Sequence, residues 1–350
     1  MITVREFTDL RGMWRMLCFR ATDPNLTEKV ETRNGPAIKF KGVQCLTVRE
    51  PWERVLFDPD RNCNHVFHLM ESIWMLAGRN DVGFLQQFNS NIENYSDDGS
   101  VFHAAYGHRW RNHFDVDQIT KCIEMLDEDP NDRRAIISMW DAREDGNGKS
   151  GKDFPCNMMI MPSFSQKDSP DGMTKYDRLD FTIINRSNDL VWGLCGANAV
   201  HMTMLQEFMA DALGVKCGAW HHITNNLHVY EQHWPLVKKI AEEVAGPMSG
   251  RKEWERYAGV LTPPKRKPMV VNWRTFLKEC EELCNGKTEG FTEPFLEETV
   301  EPVWASWREW KAGNFQEAID IAECIDAYDW RLAIVQWYNR ALFKKGKPNA

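Results

Sequence analysis

Hydrophobic residues recur at helical spacing in three segments of the chain. The segment from Val66 to Leu76 has apolar residues one turn apart and ends before Gly78, which predicts a buried helix that stops at a glycine. Ala199 to Leu213 predicts a long amphipathic helix closed by Gly214, and Val229 to Val244 begins another. These patterns therefore predict long helices on both sides of the middle of the chain.

Other segments have the composition and alternation of β-strands. They are Ala135 to Trp140, Met158 to Phe164 and Leu179 to Ile184. Ser165 to Asp177 is rich in Ser, Asp, Pro and Gly, and it predicts a hairpin loop between the second and third of these strands. Strands and helices follow in irregular order, and neither GxGxxG nor P-loop spacing occurs. The pattern therefore predicts an α+β fold rather than a doubly wound nucleotide-binding sheet.

The C-terminal part of the chain differs from the rest. Gly246 to Pro264 predicts a mobile connection, and helices are predicted within Trp273 to Cys284 and Glu317 to Lys345, in a region rich in tryptophan. We therefore predict a main domain over residues 1–271 and a helical C-terminal extension over residues 272–350. Packing on the core or on a partner is the favoured role of this extension, with a substrate lid as the alternative.

Composition, charge and cysteine use narrow the class of protein. The 350 residues contain no run of about 18 apolar residues and no apolar N-terminal leader, so we predict a protein that is neither secreted nor membrane-bound. The ten cysteines are scattered, which favours a reducing cytoplasm, and Cys280 and Cys284 lack the further ligands of a metal site. The net charge of −8 argues against direct nucleic-acid binding, because binding a polyanion needs a basic surface.

Reactive and cationic side chains stand at predicted strand ends and turns. Cys156 follows a proline, and its thiolate would be a nucleophile, which a nearby arginine favours by lowering the thiol pKa. Arg133, Arg134 and Arg186 are candidate cations, because their forked guanidinium groups match phosphate oxygens, and Ser187 can add a hydroxyl donor. The pattern predicts an enzyme with a cysteine nucleophile and a phosphate held by arginines.

Glu71 is a carboxylate inside the apolar helix predicted for Val66 to Leu76. Burying an unpaired carboxylate is costly, so we predict a functional Glu71 and keep a structural salt bridge as the alternative. Farther along the chain, His228 and Tyr230 place an imidazole and a phenol two residues apart. Together with Cys156, these groups can attack and hold a phosphorylated ring.

Five motifs follow one another along the chain. They are Thr32-Arg33-Asn34-Gly35; Glu71-Ser72-Ile73-Trp74-Met75-Leu76-Ala77-Gly78; Ala105-Tyr106-Gly107-His108-Arg109-Trp110-Arg111; Asp132-Arg133-Arg134; and the segments around Cys156, Arg186 and His228. In residue types and in order, these motifs resemble those of the thymidylate synthase superfamily, including its pyrimidine nucleotide hydroxymethylase branch. The resemblance runs from about Thr32 to Val271, and it implies a mixed sheet packed with helices, a homodimer and a catalytic domain over residues 1–271.

The resemblance also implies roles for individual residues. Cys156 would add to C6 of a pyrimidine nucleoside 5′-monophosphate and make C5 nucleophilic toward the one-carbon unit of 5,10-methylenetetrahydrofolate. Glu71 would organise water and proton transfer, Tyr106 would assist removal of the C5 proton, and Asp189 would contact the folate pterin. The expected substrate ligands are Arg33, Arg186 and Ser187 for the phosphate, with Arg133 and Arg134 from the second subunit, His228 and Tyr230 for the sugar, and Asn198 for the base. Asn198 matches the family only if one residue is inserted within Leu194 to Ala197.

Water access distinguishes the two products that the resemblance allows. A hydride from the folate converts the exocyclic methylene intermediate to a methyl group, whereas water converts it to a hydroxymethyl group. Methylating members carry tryptophans before the Tyr-Gly motif, but this chain has Asn91 to Ser96 there, without tryptophan. Asn157 replaces the histidine that usually follows the nucleophile, and the short apolar closing tail of methylating enzymes is missing. We therefore predict hydroxymethylation, with thymidylate synthase-type methylation as the alternative.

The sequence leaves the base open. The Asn198 amide serves uracil by donating to O4 and accepting from N3–H, and the flipped amide serves cytosine by donating to N3 and accepting from the amino group. The substrates dUMP, dCMP and CMP are all compatible with it. A non-catalytic nucleotide-binding relative is a further alternative, although binding alone needs no nucleophile such as Cys156. A hydroxymethylase would suit a phage that modifies its DNA, acting in the host cytoplasm.

Overall fold

The computed structural model describes residues 2–146, 151–167, 175–246 and 267–345. The strands are β1 (Ile2–Phe7), β2 (Thr27–Thr32), β3 (Gly35–Phe40), β4 (Val43–Val48), β5 (Ile137–Ser138), β6 (Asn157–Lys167), β7 (Lys175–Asn185), β8 (Asn188–Asp189), β9 (Lys216–Thr224) and β10 (Leu227–Tyr230). The α-helices are α1 (Leu10–Ala21), α2 (His65–Leu76), α3 (Val82–Gln86), α4 (Tyr106–Arg111), α5 (Gln118–Glu128), α6 (Asn198–Ala212), α7 (Trp234–Ala245), α8 (Trp273–Cys284), α9 (Glu301–Ala312), α10 (Phe315–Ala322) and α11 (Tyr328–Lys345). Short 3-10 helices occupy Ile92–Tyr95 and Glu231–His233, and π-helices occupy Leu190–Ala197 and Leu296–Val300.

Two mixed sheets organise the described residues. The larger sheet has the strand order β1-β4-β9-β7-β6-β5, and the smaller has the order β2-β3-β10-β8. Parallel pairs (β1 with β4, β7 with β9, β8 with β10) stand beside antiparallel ones. The predicted α+β class with a mixed sheet is confirmed.

Helices cover one face of the larger sheet. Its inward side chains, such as Phe181, Ile183 and Trp220, are fully buried. On this face lies α6, whose Gln206 Nε2 donates to the carbonyl oxygen of Leu179 at 2.9 Å and to other strand carbonyls. In α2, every residue except Glu71 is buried, because the helix has protein on all sides. The hydrophobic core therefore surrounds the helix that carries the predicted carboxylate.

The helices predicted near Val66, Ala199 and Trp273 are confirmed within one residue or two at each end, and Gly78 and Gly214 have φ angles of 71° and 67°. Three other boundaries were wrong. Ala135 to Trp140 contains only the two-residue β5, since this strand pairs on one side alone, with β6. The predicted hairpin loop was too long, because β6 and β7 continue to Lys167 and from Lys175, and its centre lies outside the described residues.

The third wrong boundary is the helix predicted to begin at Val229. Val229 and Tyr230 belong to β10, where pairing with β3 and β8 overrides the local helical pattern, and α7 starts at Trp234 with a proline in its first turn. Gly246 to Pro264 falls almost entirely outside the described residues. The segment from Glu317 to Lys345 contains the end of α10 and all of α11, separated by a turn.

The C-terminal helices pack on the rest of the chain through aromatic side chains. Trp304 of α9 lies 5.5 and 5.1 Å from Phe84 and Phe88, measured between ring centroids. Trp307 donates its indole N–H to the Gln87 carbonyl oxygen at 2.8 Å. These contacts join the predicted C-terminal extension to α3 and the residues that follow it. The domain boundary predicted at residue 271 stays a prediction. Within the described residues, no helix combines the length and the apolar character needed to cross a membrane.

Candidate active site

Cys156 lies immediately before β6, beside the first residue of α4. The backbone amides of Cys156 and Asn157 donate to the phenolic oxygen of Tyr106 at 3.2 and 3.4 Å. Since the oxygen accepts both bonds, the Tyr106 proton is left to donate elsewhere, and burial raises the pKa of this hydroxyl above its usual range. Gly107 permits the arrangement, because a Cβ there would come within 2.1 Å of the Met75 carbonyl oxygen of α2.

Arg186 anchors the turn that carries the nucleophile. Its Nε donates to the Pro155 carbonyl oxygen at 2.9 Å and its Nη2 to that of Phe154 at 3.3 Å, and Nη2 is 3.9 Å from Cys156 Sγ. Burial raises the pKa of the Cys156 thiol, while the charges of Arg186 and Arg33 act in the opposite direction. The predicted arginine effect is therefore present, but burial outweighs it.

Arg33 approaches the same turn from the other side. It stands between β2 and β3, and its guanidinium donates to the carbonyl oxygens of Gly151 and Lys152 at 2.6 and 3.1 Å. Ser187 is half-buried in the step from β7 to β8. Cys156, Arg33, Arg186 and Ser187 thus converge on one end of the β6–β7 pair.

Arg133 and Arg134 lie elsewhere. Both are exposed between α5 and β5, and Arg134 is bound to Asp132 through two contacts of 3.0 and 2.6 Å. Ile137 of β5 faces Ile160 of β6. Continuing that antiparallel register puts Arg134 opposite a residue of β6 roughly 20 Å along the strand from Cys156, at about 3.3 Å per residue. The geometry does not bring this pair to the nucleophile of its own chain.

His228 and Tyr230 point to the same side of β10, with ring centroids 4.8 Å apart. His228 Nε2 is buried without a hydrogen-bond partner among the described residues, and the Tyr230 hydroxyl accepts from Asn34 Nδ2 at 3.2 Å. Parallel pairing sets His228 beside Asp189 of β8. Burial lowers the pKa of His228 and raises that of Asp189, so both groups are shifted toward their neutral forms.

Glu71 meets a histidine that the sequence analysis did not single out. His201 of α6 is buried, and its Nε2 lies 3.0 Å from Glu71 Oε2. Neither atom is aligned for a hydrogen bond, and neither has another partner in the described part of the chain. His201 follows Asn198 by three residues, so both lie on one face of α6. A titratable residue inside a helix predicted from apolar spacing was the signal for His201, but the other polar residues of α6 made this signal weaker than the one for Glu71.

Asn198 begins α6, directly after the π-helix. The preceding Cys195 and Gly196 have non-helical backbone angles, the kind of irregularity that an additional residue produces. Asn198 Nδ2 donates to Asn188 Oδ1 at 3.3 Å, and Asn188 Nδ2 lies 3.3 Å from His222 Nε2. Sequence reasoning missed Asn188 and His222, because only the sheet brings them to Asn198.

The arrangement combines a thiol, a phenol and a guanidinium at one turn, and a carboxylate beside a histidine between α2 and α6. A comparison with models of protein families matches residues 60–249, more than half of the chain, to "Thymidylate synthase". The chain belongs to the thymidylate synthase family. The match contains every predicted site residue except Arg33, which precedes it.

Three curated relatives of this thymidylate synthase family member carry the name "Deoxyuridylate hydroxymethyltransferase". The protein of Pseudomonas phage M6 is 39% identical over 91% of this chain and 90% of its own length. Those of Bacillus phage SP01 and Delftia phage PhiW-14 are 37% and 28% identical over 60% and 63% of this chain, and 54% and 61% of their own lengths. The similarity to the first relative extends through most of the C-terminal helices as well.

Proposed function

We propose that this protein catalyses folate-dependent C5 hydroxymethylation of a pyrimidine deoxynucleoside monophosphate, with dUMP as substrate. The observation that carries the proposal is the extent of the similarity to the deoxyuridylate hydroxymethyltransferase of Pseudomonas phage M6, which covers 90% of that protein. The placement of Cys156 between the Tyr106 hydroxyl and the Arg186 guanidinium supports the proposal. Such a reaction requires a thiolate nucleophile, a cation near it and a group that assists proton removal.

Binding of the nucleotide would begin with its phosphate. Arg186 and Arg33 hold the turn around Cys156 and direct positive charge to it, and Ser187 adds a hydroxyl. His228 and Tyr230 would take the sugar hydroxyl, since His228 Nε2 is buried and has no partner among the described residues. Fixing both ends of the nucleotide would place C6 against the Cys156 sulfur, as a near-attack geometry requires.

The thiolate of Cys156 would then add to C6, forming an S–C6 bond and moving the C5=C6 electrons toward C5. The Cys156 thiol must first give its proton to solvent water, before the bound substrate excludes it. Because burial raises the pKa of this thiol, the charges of Arg186 and Arg33 then have to favour the thiolate. Tyr106 is held by two backbone amides at the same turn, where it can assist removal of the C5 proton.

The residues on the folate side fit 5,10-methylenetetrahydrofolate, which supplies the one-carbon unit when bound. Asp189 Oδ1 is buried and has no hydrogen-bond partner among the described residues, so it can accept from pterin N–H groups. Beside it, the Trp192 ring is 54% exposed and is held by an indole hydrogen bond to His233 at 2.8 Å. These residues offer one polar and one aromatic contact to a ring system.

Water would complete the reaction. Residues 91–95, where methylating members carry tryptophans, form a largely exposed surface whose aromatic residue, Tyr95, is itself 63% exposed. His201 lies one turn along α6 from Asn198 and contacts Glu71, and the facing polar atoms of His201 and Glu71 are unsatisfied among the described residues, so this pair can orient the attacking water and take its proton. The oxygen would bond to the C5 methylene carbon, the C5=C6 bond would re-form, and the Cys156 thiolate would leave with the S–C6 electrons.

Mass spectrometry of the products tests the proposed function. Incubation of the protein with methylenetetrahydrofolate and, separately, dUMP, dCMP and CMP is expected to yield a hydroxymethyl product from dUMP, with tetrahydrofolate released. A methyl product with release of dihydrofolate would instead assign the family's methylating activity. No product from any of the three nucleotides would contradict both activities and favour a binding function.

A homodimer is part of the proposal, because one face of the larger sheet carries a row of half-buried residues, most of them large and apolar. Met159, Ile184, Ile223 and Cys45 are paired directly across β6, β7, β9 and β4, so they form one row on that face, and all are only half-buried. A second copy would bury this row and could bring Arg133 and Arg134 to the partner's Cys156.

Mixed dimers test the donation of these arginines. A heterodimer of a Cys156→Ala subunit with an Arg133→Ala/Arg134→Ala subunit is expected to recover about half of the wild-type turnover, since one of its two sites is complete, while both parent homodimers stay inactive. Co-expression with two affinity tags isolates the heterodimer. In the matched control, Arg186→Ala replaces the arginine pair, and no activity returns because Arg186 serves its own chain. An inactive first heterodimer would refute donation across the interface.

None of the ten cysteines, all of which lie within the described residues, forms a disulfide, which supports the proposed action in a reducing cytoplasm, that of the host if the chain is phage-encoded.

A further inference from the structure

The amide of Asn198 is the first member of a buried hydrogen-bonded chain. Asn198 Nδ2 donates to Asn188 Oδ1, and Asn188 Nδ2 reaches His222 Nε2, each over 3.3 Å. Asn188 and His222 are only 2% and 1% exposed, and the Asn188 backbone amide is bound to the Asn226 carbonyl oxygen at 2.9 Å. The chain of contacts therefore connects the predicted base-reading residue to an imidazole that solvent does not reach.

A glycine makes room for this chain of contacts. A Cβ at Gly193 would lie 2.0 Å from Asn188 Oδ1 and 3.2 Å from Asn198 Nδ2. Any side chain at position 193 would displace the two amides from each other. The close approach of the π-helix to β8 thus leaves space only for the paired amides.

The three groups have only two consistent arrangements. Burial lowers the pKa of His222 to about 3, so the imidazole is neutral and carries a single ring proton. When Nε2 is bare, it accepts from Asn188 Nδ2, Asn188 Oδ1 faces Asn198, and Asn198 must present its Nδ2 to it. When Nε2 carries the proton, both amides have to flip. The orientation of Asn198 is therefore coupled to a residue that cannot touch the substrate.

We propose that the pair Asn188–His222 determines the choice of base by fixing the orientation of the Asn198 amide. The inference rests on the proposed function, in which Asn198 reads the pyrimidine. With Asn198 oriented as observed, its second N–H would donate to O4 of a bound base and its Oδ1 would accept from N3–H, which would satisfy uracil. Cytosine requires the flipped amide, and with it a flip of Asn188 and a transfer of the His222 ring proton from Nδ1, which has no hydrogen-bond partner among the described residues, to Nε2, so all three groups would have to rearrange together. Asn188 and His222 are positioning residues that select uracil.

The ratio of kcat/KM for dUMP to that for dCMP tests this inference. Asn188→Ala and His222→Leu each break the chain of contacts, so we expect either variant to lower the ratio by about tenfold or more. Asn188→Asp is the conservative variant: its carboxylate can only accept, so it still requires Nδ2 of Asn198 and should preserve the preference for dUMP. His221→Gln is the matched control, since His221 lies on the opposite face of β9, with Nδ1 2.9 Å from Thr47 Oγ1, and should leave the ratio unchanged.

The outcomes separate this inference from the proposed function. Two variants at different positions guard against loss of folding at one of them, and circular dichroism verifies the fold of each. A merely structural role would lower kcat/KM for both nucleotides in parallel. An unchanged ratio in folded Asn188→Ala or His222→Leu, or a wild-type preference for dCMP, would overturn the inference. If wild-type protein hydroxymethylated neither nucleotide, the proposed function itself would fail.

Discussion

Replacing Cys156 with alanine is expected to reduce turnover by at least about 10⁴-fold, because no other group can form the covalent bond to C6. Nucleotide affinity should change little, since the binding contacts are assigned to Arg33, Arg186, Ser187 and the β10 residues. Release of tritium from [5-³H]dUMP measures the chemistry, and calorimetric titration with dUMP measures the binding.

Cys324→Ala provides the control for this prediction. Cys324 is an exposed cysteine in the C-terminal region, far along the chain from the proposed site, and its replacement should leave both turnover and binding unchanged. Turnover of Cys156→Ala within about tenfold of wild type would rule out the proposed nucleophile. Loss of dUMP binding together with turnover would point to a structural role for Cys156 at the turn that Arg186 holds.

Glu71→Gln is expected to lower kcat by about 10²- to 10⁴-fold, the usual contribution of a positioned acid or base. The amide keeps the shape of the side chain but cannot take a proton from water. Because the nucleophile and the phosphate ligands stay in place, KM for dUMP should change much less than kcat. His201→Gln should reduce kcat in the same sense but by a smaller factor, since His201 acts through its contact with Glu71.

Glu279→Gln is the matched control for a buried carboxylate outside the site. Glu279 of α8 accepts hydrogen bonds from the backbone amides of Thr292 and Glu293 at 2.8 and 3.0 Å. Its replacement should lower the free energy of unfolding by about 1–3 kcal/mol, while kcat is unchanged. Thermal unfolding of both variants separates an effect on stability from an effect on kcat. A normal kcat for Glu71→Gln would contradict the proposed catalytic role and support a structural salt bridge as the role of Glu71.

The sequence predicted those helices whose apolar residues recur at helical spacing over the whole length of the helix. The segment from Trp273 to Cys284 forms α8 with those bounds, and the one from Val66 to Leu76 forms α2 with one additional residue. Strand ends were less predictable, because a strand continues wherever a neighbour pairs with it. β6 and β7 support each other well beyond their apolar stretches, whereas β5 pairs on one side only and is short.

The candidate site also has a part that the sequence predicts and a part that depends on strand register. Cys156, Tyr106 and Arg186 stand in motifs whose order and residue types identify the family, and the structure brings them together at one turn. The guanidinium chemistry of Arg133 and Arg134 predicts phosphate binding, and this role stays a prediction. The distance of these two arginines from the nucleophile of the same chain follows only from the antiparallel register of β5 and β6.

The sequence by itself determined the family, the α+β class and the candidate nucleophile, because these depend on residue types and their order along the chain. Only the tertiary structure decided which polar groups meet. Packing of α2 against α6 brings Glu71 to His201, and the approach of β8 to β9 and α6 joins Asn198 to His222 through Asn188. Such contacts depend on helix packing and strand register, which long-range burial sets and which local patterns along the chain do not contain.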